Sequence, residues 1–408
     1  MLNRIWTFFF IGAFVAALGR TFAGQTGVWA DLVGAAFDMA KTGFEIALGL
    51  TGVMCLWLGV MRIGERGGAV EFLARLFGPL LRRLFPGIPA GHPASGSIVM
   101  NMAANMMGLD NAATPLGLKA MQQMQELNPD KDTASDAMIL FLVINTSAVT
   151  LIPVTIFTYR AQLGAADPTD VFLPLLIATW CSTMAGLMVT SFFQKIRLRD
   201  PVVAGWLVGM TAAVLGLVAW LSSLDRETLE ARSSVAANFA IFGVIIAFMA
   251  AGIRRRVDLY DAFLEGAKDG FKVAVGIIPY LVAMLVAIGV FRASGALDLL
   301  LDGLRAGVGA LGADTRWIDG LPTALLKPLS GSGARGLMIE TMTAHGADSF
   351  AGRLVSVIQG STETTFYVLA VYFGAVGIRR TRHAVVCGLA ADLAGITAAI
   401  LVSYLFWG

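Results

Sequence analysis

Nine stretches of this chain, near residues 5–24, 44–62, 136–159, 169–194, 201–223, 234–253, 271–291, 350–374 and 381–407, are apolar over enough residues to cross a bilayer, for which a helix needs about 20. In lipid every backbone N–H and C=O must be satisfied within the spanning structure, so runs of this length form helices. A content of 57% hydrophobic and 14% charged residues, with a mean hydropathy of +0.73, points the same way. The expected fold class is an all-α polytopic membrane protein. The formal charge of +2 leaves no basic surface for nucleic acid, so the expected partners are the lipid bilayer and a small solute. Cys55, Cys181 and Cys387 each lie in an apolar run and read as buried thiols, without ligand spacing for a metal. Asn3-Arg4 precedes an apolar run that reads as a first span and not as a cleaved leader.

Two further apolar stretches, 93–126 and 322–343, are interrupted by Gly, Pro, Ser and Asn and read as re-entrant hairpins. Parity then puts Arg62 to Arg83, Lys195 to Arg199, Arg254 to Arg256 and Arg379 to Arg382 on one side, which the positive-inside rule makes cytoplasmic. The opposite loops carry acidic groups such as Asp167, Asp170, Asp225, Glu227, Glu230, Asp298 and Asp302. The expectation is a multi-pass protein of a bacterial inner (cytoplasmic) membrane, with its N-terminus cytoplasmic and its C-terminus external.

The chain also repeats itself. GFEIALG from Gly43 returns as GFKVAVG from Gly270, in a register that holds without a gap to Gly68-Ala69 and Gly295-Ala296. Pro93-Ala-Ser-Gly-Ser97 returns as Pro328-Leu-Ser-Gly-Ser332, and VINTSAVTL from Val143 as VIQGSTETT from Val357. Three matches in order define two copies, a first repeat over 1–200 and a second over 224–408. Each copy holds an even number of spans, so the helix at 201–223, which belongs to neither, reverses the second copy. The expectation is two inverted-topology repeats with re-entrant hairpins and broken helices, joined by one linking helix, as in secondary transporters. A single crossing by each of 93–126 and 322–343 would make the copies parallel instead.

Polar residues recur at the centre of the same span in both copies: Asn145, Thr146, Ser147 and Thr150 in one, and Gln359, Gly360, Ser361, Thr362, Glu363 and Thr364 in the other. Unwound backbone there offers carbonyls to a cation and N–H groups to a polar solute. The plain alternative is that Ser and Thr bond back to their own helix and help helices pack. Glu363 and, in the last span, Asp392 are candidates for ion or proton coupling, because a carboxylate in mid-span is costly; for Glu363 a structural ion pair with Arg335 or Arg353 is the competing account. The hairpins supply Ser95, Ser97, Asn101, Asn105 and Asn111 from the first copy and Ser330 and Ser332 from the second as candidate solute ligands. Amphipathic stretches near 27–41, 69–85, 256–269 and 296–311 read as interfacial helices that form the frame or a contact between copies in a homo-oligomer.

At LDNAATPLGLKAMQ (from Leu109) and FLVINTSAVTLIPVT (from Phe141) the sequence resembles the spore maturation protein A family. At KPLSGSGARGLMIE (from Lys327) and GRLVSVIQGSTETTFYVLAVYFGAVGIRRTRHA (from Gly352) it resembles the spore maturation protein B family, as though the two were fused at 201–223. The resemblance implies a nucleoside recognition or gate domain, similar to part of the concentrative nucleoside transporters and of ferrous iron transporter B.

The function expected is a secondary transporter or exporter of a small polar solute, nucleoside-like or other, coupled to H⁺ or Na⁺ and otherwise without cofactor. A receptor or scaffold that binds a solute or regulates a partner without moving it is the alternative. An enzyme is not expected. The Ser-Gly-Ser-Gly run invites comparison with a hydrolase nucleophile, yet His345 is the only histidine near it and no base with an orienting partner accompanies it.

Overall fold

The computed structural model describes residues 2–89, 91–107, 110–147, 149–196, 198–224 and 226–408, without the side chains at 2, 3, 5, 110–112, 222, 226, 227, 229–231, 233 and 234. Asn111 and the loop charges at Arg197, Asp225, Glu227 and Glu230 therefore lie outside the described side chains. Among the described residues there is no strand, only one isolated bridge between Thr133 and Arg380. The helices of the first half are α1 (Leu2–Phe22), α2 (Val28–Gly67), α3 (Ala69–Leu84), α4 (Pro93–Met106), α5 (Asp110–Leu127), α6 (Asp136–Thr146), α7 (Val154–Gln162) and α8 (Phe172–Gln194). Then come α9 (Pro201–Ser222), α10 (Arg226–Arg254), α11 (Leu259–Ala293), α12 (Ala296–Ala310), α13 (Leu321–Leu326), α14 (Gly331–His345), α15 (Phe350–Ser361), α16 (Thr365–Ala375) and α17 (Ala384–Trp407).

The chain is an all-α polytopic membrane protein. Six of its helices, α2, α8, α9, α10, α11 and α17, are long and apolar enough to cross a bilayer, and α1 is apolar from Trp6 to Phe22. The remaining two expected spans are each interrupted: 136–159 is divided into α6 and α7, and 350–374 into α15 and α16. Pro153 explains the first interruption, since it cannot donate to a helical turn and disfavours helix before it. No proline explains the second, which is held by a tertiary hydrogen bond described below. The linking helix α9 begins at an Asp200 cap that accepts from the Val202 N–H at 3.0 Å, followed by Pro201 in the first turn. It is apolar all round and largely uncovered, with Val208 and Leu215 exposed, as suits a helix bathed in lipid.

Two expected interfacial helices are not separate. Residues 27–41 and 256–269 run into the following spans, giving α2 its 40 residues and α11 its 35, about 60 and 50 Å at 1.5 Å per residue. The glycines in these stretches serve close approach and do not break the helix. A Cβ on Gly43 would lie 3.2 Å from the Val282 Cα, and one on Gly270 would lie 2.8 Å from the Cys55 Cα. In the repeat register Cys55 is the counterpart of Val282, so the two contacts are equivalent and α2 and α11 run antiparallel. The other two stretches are distinct helices, α3 and α12, each preceded by a left-handed glycine at the same repeat position, Gly68 with φ 88° and Gly295 with φ 79°.

The hairpins exist, but they are not copies of each other. The first is α4 packed on α5, and Pro93–Ser97 opens its first arm. The second is the six-residue α13 packed on α14, with the connection between them at 327–330. In the first copy Pro93 is the first helical residue, where proline costs no hydrogen bond, and in the second Ser330 is the cap that starts the helix. At 14, 6 and 15 residues, α4, α13 and α14 are too short to cross the hydrocarbon alone, and the 18-residue α5 is not apolar enough to do so.

The chain forms two compact units, and neither is a sequence half. The first comprises Met1–Leu58, Thr155–Pro168 and Ala267–Gln359; the second comprises Gly59–Val154, Thr169–Gly266 and Gly360–Gly408. In the first, α1 packs on α11 and α12 through Ala13, Ala17, Phe291 and Leu297, and the fully buried Arg160 reaches the Ala347 carbonyl at 2.7 Å and Asp348 at 3.1 Å. In the second, the basic segments find acids: Arg62 and Arg66 meet Glu265, Arg83 meets Asp200, Arg255 meets Glu71 and Arg382 meets Asp136.

The second unit is built round α8 and α17. Leu173 and Ile177 pack with Phe406 and Val402 at one end, and Phe193 stacks on His383 at the other. The pair is therefore antiparallel. Gly186 sits against Ala391 and Ser147, while Gly395 sits against Ser182 and Ser361. These contacts too exchange under the repeat, which pairs Thr183 with Asp392 and Ser147 with Ser361.

Candidate functional site at the two helix breaks

The interruption after α6 and the one between α15 and α16 meet in the second unit: the Glu363 N–H donates to the Thr146 carbonyl at 2.7 Å. Each break thus satisfies one backbone group of the other, which is what irregular backbone at membrane depth requires. On the α6 side, Leu151 N–H reaches the Met106 carbonyl at 2.8 Å, and the Thr183 hydroxyl of α8 donates to the Ser147 carbonyl. On the other side, Thr365 donates to the Asp392 carboxylate at 2.7 Å and Ser182 to the Ala391 carbonyl at 2.9 Å. Asp392 is buried there.

The first-copy amides converge on this junction. Ser97, Asn101 and Asn105 follow at intervals of four along α4 and so share one face. Asn105 donates to the Asn145 Oδ1 at 2.6 Å, and Asn145 donates in turn to the Phe141 carbonyl at 2.8 Å. Asn101 donates to the Ala113 carbonyl at 2.7 Å, while its own Oδ1 is buried with no partner among the described residues. Ser95 lies half-buried in the first turn of α4.

Thr146, Ser147, Ser361, Thr362 and Thr364 are all buried. Ser147 bonds back to the Val143 carbonyl at 2.8 Å, the ordinary helical role of serine. The hydroxyls of Thr146 and Thr362 do not: both are buried and meet no partner among the described residues. Leaving such a group unsatisfied costs about 1–3 kcal/mol. Glu363 is exposed and makes no ion pair with any described residue.

Three sequence candidates belong to the first unit. Ser330 caps α14 by accepting from the Gly333 N–H at 3.0 Å, Ser332 lies 3.4 Å from it, and Gln359 donates to the Gly331 carbonyl at 3.4 Å with its Oε1 left buried and unpartnered. His345 closes the helix that Ser330 opens, about 20 Å along it, so no serine–histidine pair forms. Sequence reasoning passed over Thr183 and Thr365, which brace the breaks and whose signal was their place in the repeat. It also passed over Glu340, buried in α14 and paired with Arg292 at 2.5 Å. Among the described residues no three His, Cys, Asp or Glu side chains cluster to hold a metal.

Fold and junction together define a polytopic all-α membrane protein in which two interrupted helices meet among amide and hydroxyl side chains. The nucleoside recognition (Gate) family matches the chain twice, over residues 47–162 and 274–379, and each match contains one broken helix. The chain belongs to this family. It is 40% identical to spore maturation protein A of Bacillus subtilis (strain 168) over 199 residues, which are 49% of this chain and 98% of that protein. It is 47% identical to spore maturation protein B of the same organism over 172 residues, 42% of this chain and 95% of that protein. No solved structure matches it significantly.

Proposed function

We propose that the chain is a secondary transporter or exporter of a small polar solute, nucleoside-like or of similar polarity, coupled to H⁺ or Na⁺, and that the solute binds at the junction of the two breaks. The observation that carries this reading is the pair of buried, unpartnered hydroxyls, Thr146 and Thr362, beside the Glu363–Thr146 backbone bond. A solute or ion there would restore the missing bonds, with Asn105, Asn145, Ser147, Ser361 and Thr364 around it and Glu363 and Asp392 as the titratable groups. Ser97 and Asn101 extend the same face of α4, and Ser95 and Asn111 are the remaining candidates of the first hairpin. Ser330, Ser332 and Gln359 form the counterpart in the second copy.

The reciprocal antiparallel contacts of α2 with α11 and of α8 with α17 support two inverted repeats, 1–200 and 224–408, joined by 201–223. The paired basic segments support a cytoplasmic N-terminus and an external C-terminus in a bacterial inner membrane. The reading takes the chain as a non-enzyme. Flux of a panel of nucleosides and other small polar solutes into proteoliposomes, with and without a Na⁺ or pH gradient, tests it: gradient-driven uptake of one solute class is expected.

A second reading has one observation in its favour. Both relatives are named for spore maturation, which fits a solute-binding membrane scaffold as well as a carrier. Saturable binding without flux would select it.

A further inference from the structure

Within the second unit, α3 runs from the end of one span to the start of another. The left-handed Gly68 turns the chain out of α2 just past Arg66, and at the far end Arg83 reaches Asp200, the cap of α9, at 2.8 Å. Between them lie 16 residues, about 24 Å of helix. Glu71, Arg75, Arg82 and Arg83 bar this helix from crossing the hydrocarbon, so it lies along the membrane surface. Val70, Gly78, Leu81 and Leu84 are buried on its inner face. The outer face exposes Phe72 (65%) and Leu76 (43%) together with Arg75, Pro79, Arg82 and Arg83, all within an arc of about 120°.

Two of the three arginines on this arc are free. Arg83 is held by Asp200, and Glu71, the one acid of the helix, by Arg255 at 3.6 Å. Arg75 and Arg82 have no side-chain partner among the described residues. Unpaired guanidinium groups beside an exposed ring and an exposed leucine, on a surface-lying helix, complement a partner that is apolar on one side and anionic on the other. The counterpart helix of the second copy lacks half of this pattern. In the repeat register α12 exposes Leu299 in place of Phe72, but has Asp302 in place of Arg75 and Gly309 in place of Arg82. The apolar anchor is common to both copies and the basic pair is not, so the repeat does not impose it. We propose that the outer face of α3 binds anionic phospholipid, with Arg75 and Arg82 each taking a headgroup phosphate and Phe72 and Leu76 entering the acyl region. This face belongs to α3 alone, so it stands whether or not the chain moves a solute.

The test is fluorescence quenching of bimane attached through Pro79→Cys, in the full chain carrying Cys55→Ala, Cys181→Ala and Cys387→Ala. The protein is placed in phosphatidylcholine nanodiscs that contain a minor fraction of brominated phosphatidylglycerol or, for comparison, of brominated phosphatidylcholine. The anionic lipid should be preferred at this position by about fivefold or more, the effect of one or two basic residues near an anionic headgroup. Arg75→Gln with Arg82→Gln should bring the two lipids to parity, whereas Arg75→Lys with Arg82→Lys, which keeps the charge, should retain the preference. Bimane attached through Ala306→Cys, the position of α12 that matches Pro79, should show no preference. Equal quenching by the two lipids at position 79 would overturn the site. Preference retained by the glutamine variant would overturn the role of the arginines, and equal preference at position 306 would reduce it to a property of any helix at the membrane surface.

Discussion

Asn105 stands twelve residues after Pro93 in the first copy, and Glu340 stands twelve after Pro328 in the second. The two positions have diverged in charge. The first copy has a half-buried amide there and settles it with a neutral partner, Asn105 to the buried Asn145 at 2.6 Å. The second places a buried carboxylate there and neutralises it with Arg292, the last basic residue of α11, at 2.5 Å. These matched positions of the sequence repeat therefore rest on different electrostatics. The neutral arrangement tolerates the loss of a partner as a lost hydrogen bond, whereas the charged one does not, since removal of one ion strands the other in low dielectric.

The largest effect should come from Arg292→Ala, which leaves Glu340 buried and unpaired and should cost about 3 kcal/mol or more of stability. It is read as a fall in thermal midpoint in detergent, and Arg292→Ala combined with Glu340→Gln should recover much of it. Asn145→Ala should cost less, about 1–3 kcal/mol, by removing the acceptor of the half-buried Asn105 amide. Equal losses in the two copies would erase the contrast. Next come the helix-packing glycines. Gly395→Ala places a methyl 2.6 Å from Thr362 Cγ2, and Gly186→Ala one 2.9 Å from Val143 Cγ1. Each should destabilise by about 1–3 kcal/mol, and similar values would support the equivalence of α8 and α17 that the repeat implies. The smallest effect on stability is expected from Glu363→Gln, because that carboxylate is exposed and unpaired: within about 0.5 kcal/mol. Its consequence should appear in flux, as a loss of pH dependence with solute binding retained.

Much of the fold was legible because lipid leaves few choices. Apolar runs fix the spans, and the polar residues at 145–147 and 359–364 announced both breaks before any coordinates. The ends of α2 and α11 were not legible, since a glycine that permits close helix approach, such as Gly43 or Gly270, looks in sequence like one that ends a helix. The hairpins misled for a related reason: Pro-x-Ser-Gly-Ser starts a helix in both copies, and the motif is silent on whether another helix precedes it or follows it. At the candidate site, residue types identified the breaks, but which hydroxyls bond back to their helix and which stay unpartnered depends on tertiary geometry. Ser147 and Thr146 are neighbours with opposite outcomes.

The central claim, that the unpartnered hydroxyls at the breaks exist for a solute, is tested most directly by Thr146→Val together with Thr362→Val. The double variant keeps shape and removes two unsatisfied buried groups, so it should be at least as stable as the native protein. It should also lose solute flux, and with it the thermal shift given by whichever solute the native protein carries in the proteoliposome panel. Native flux in a destabilised double variant would contradict the account and make both threonines packing residues.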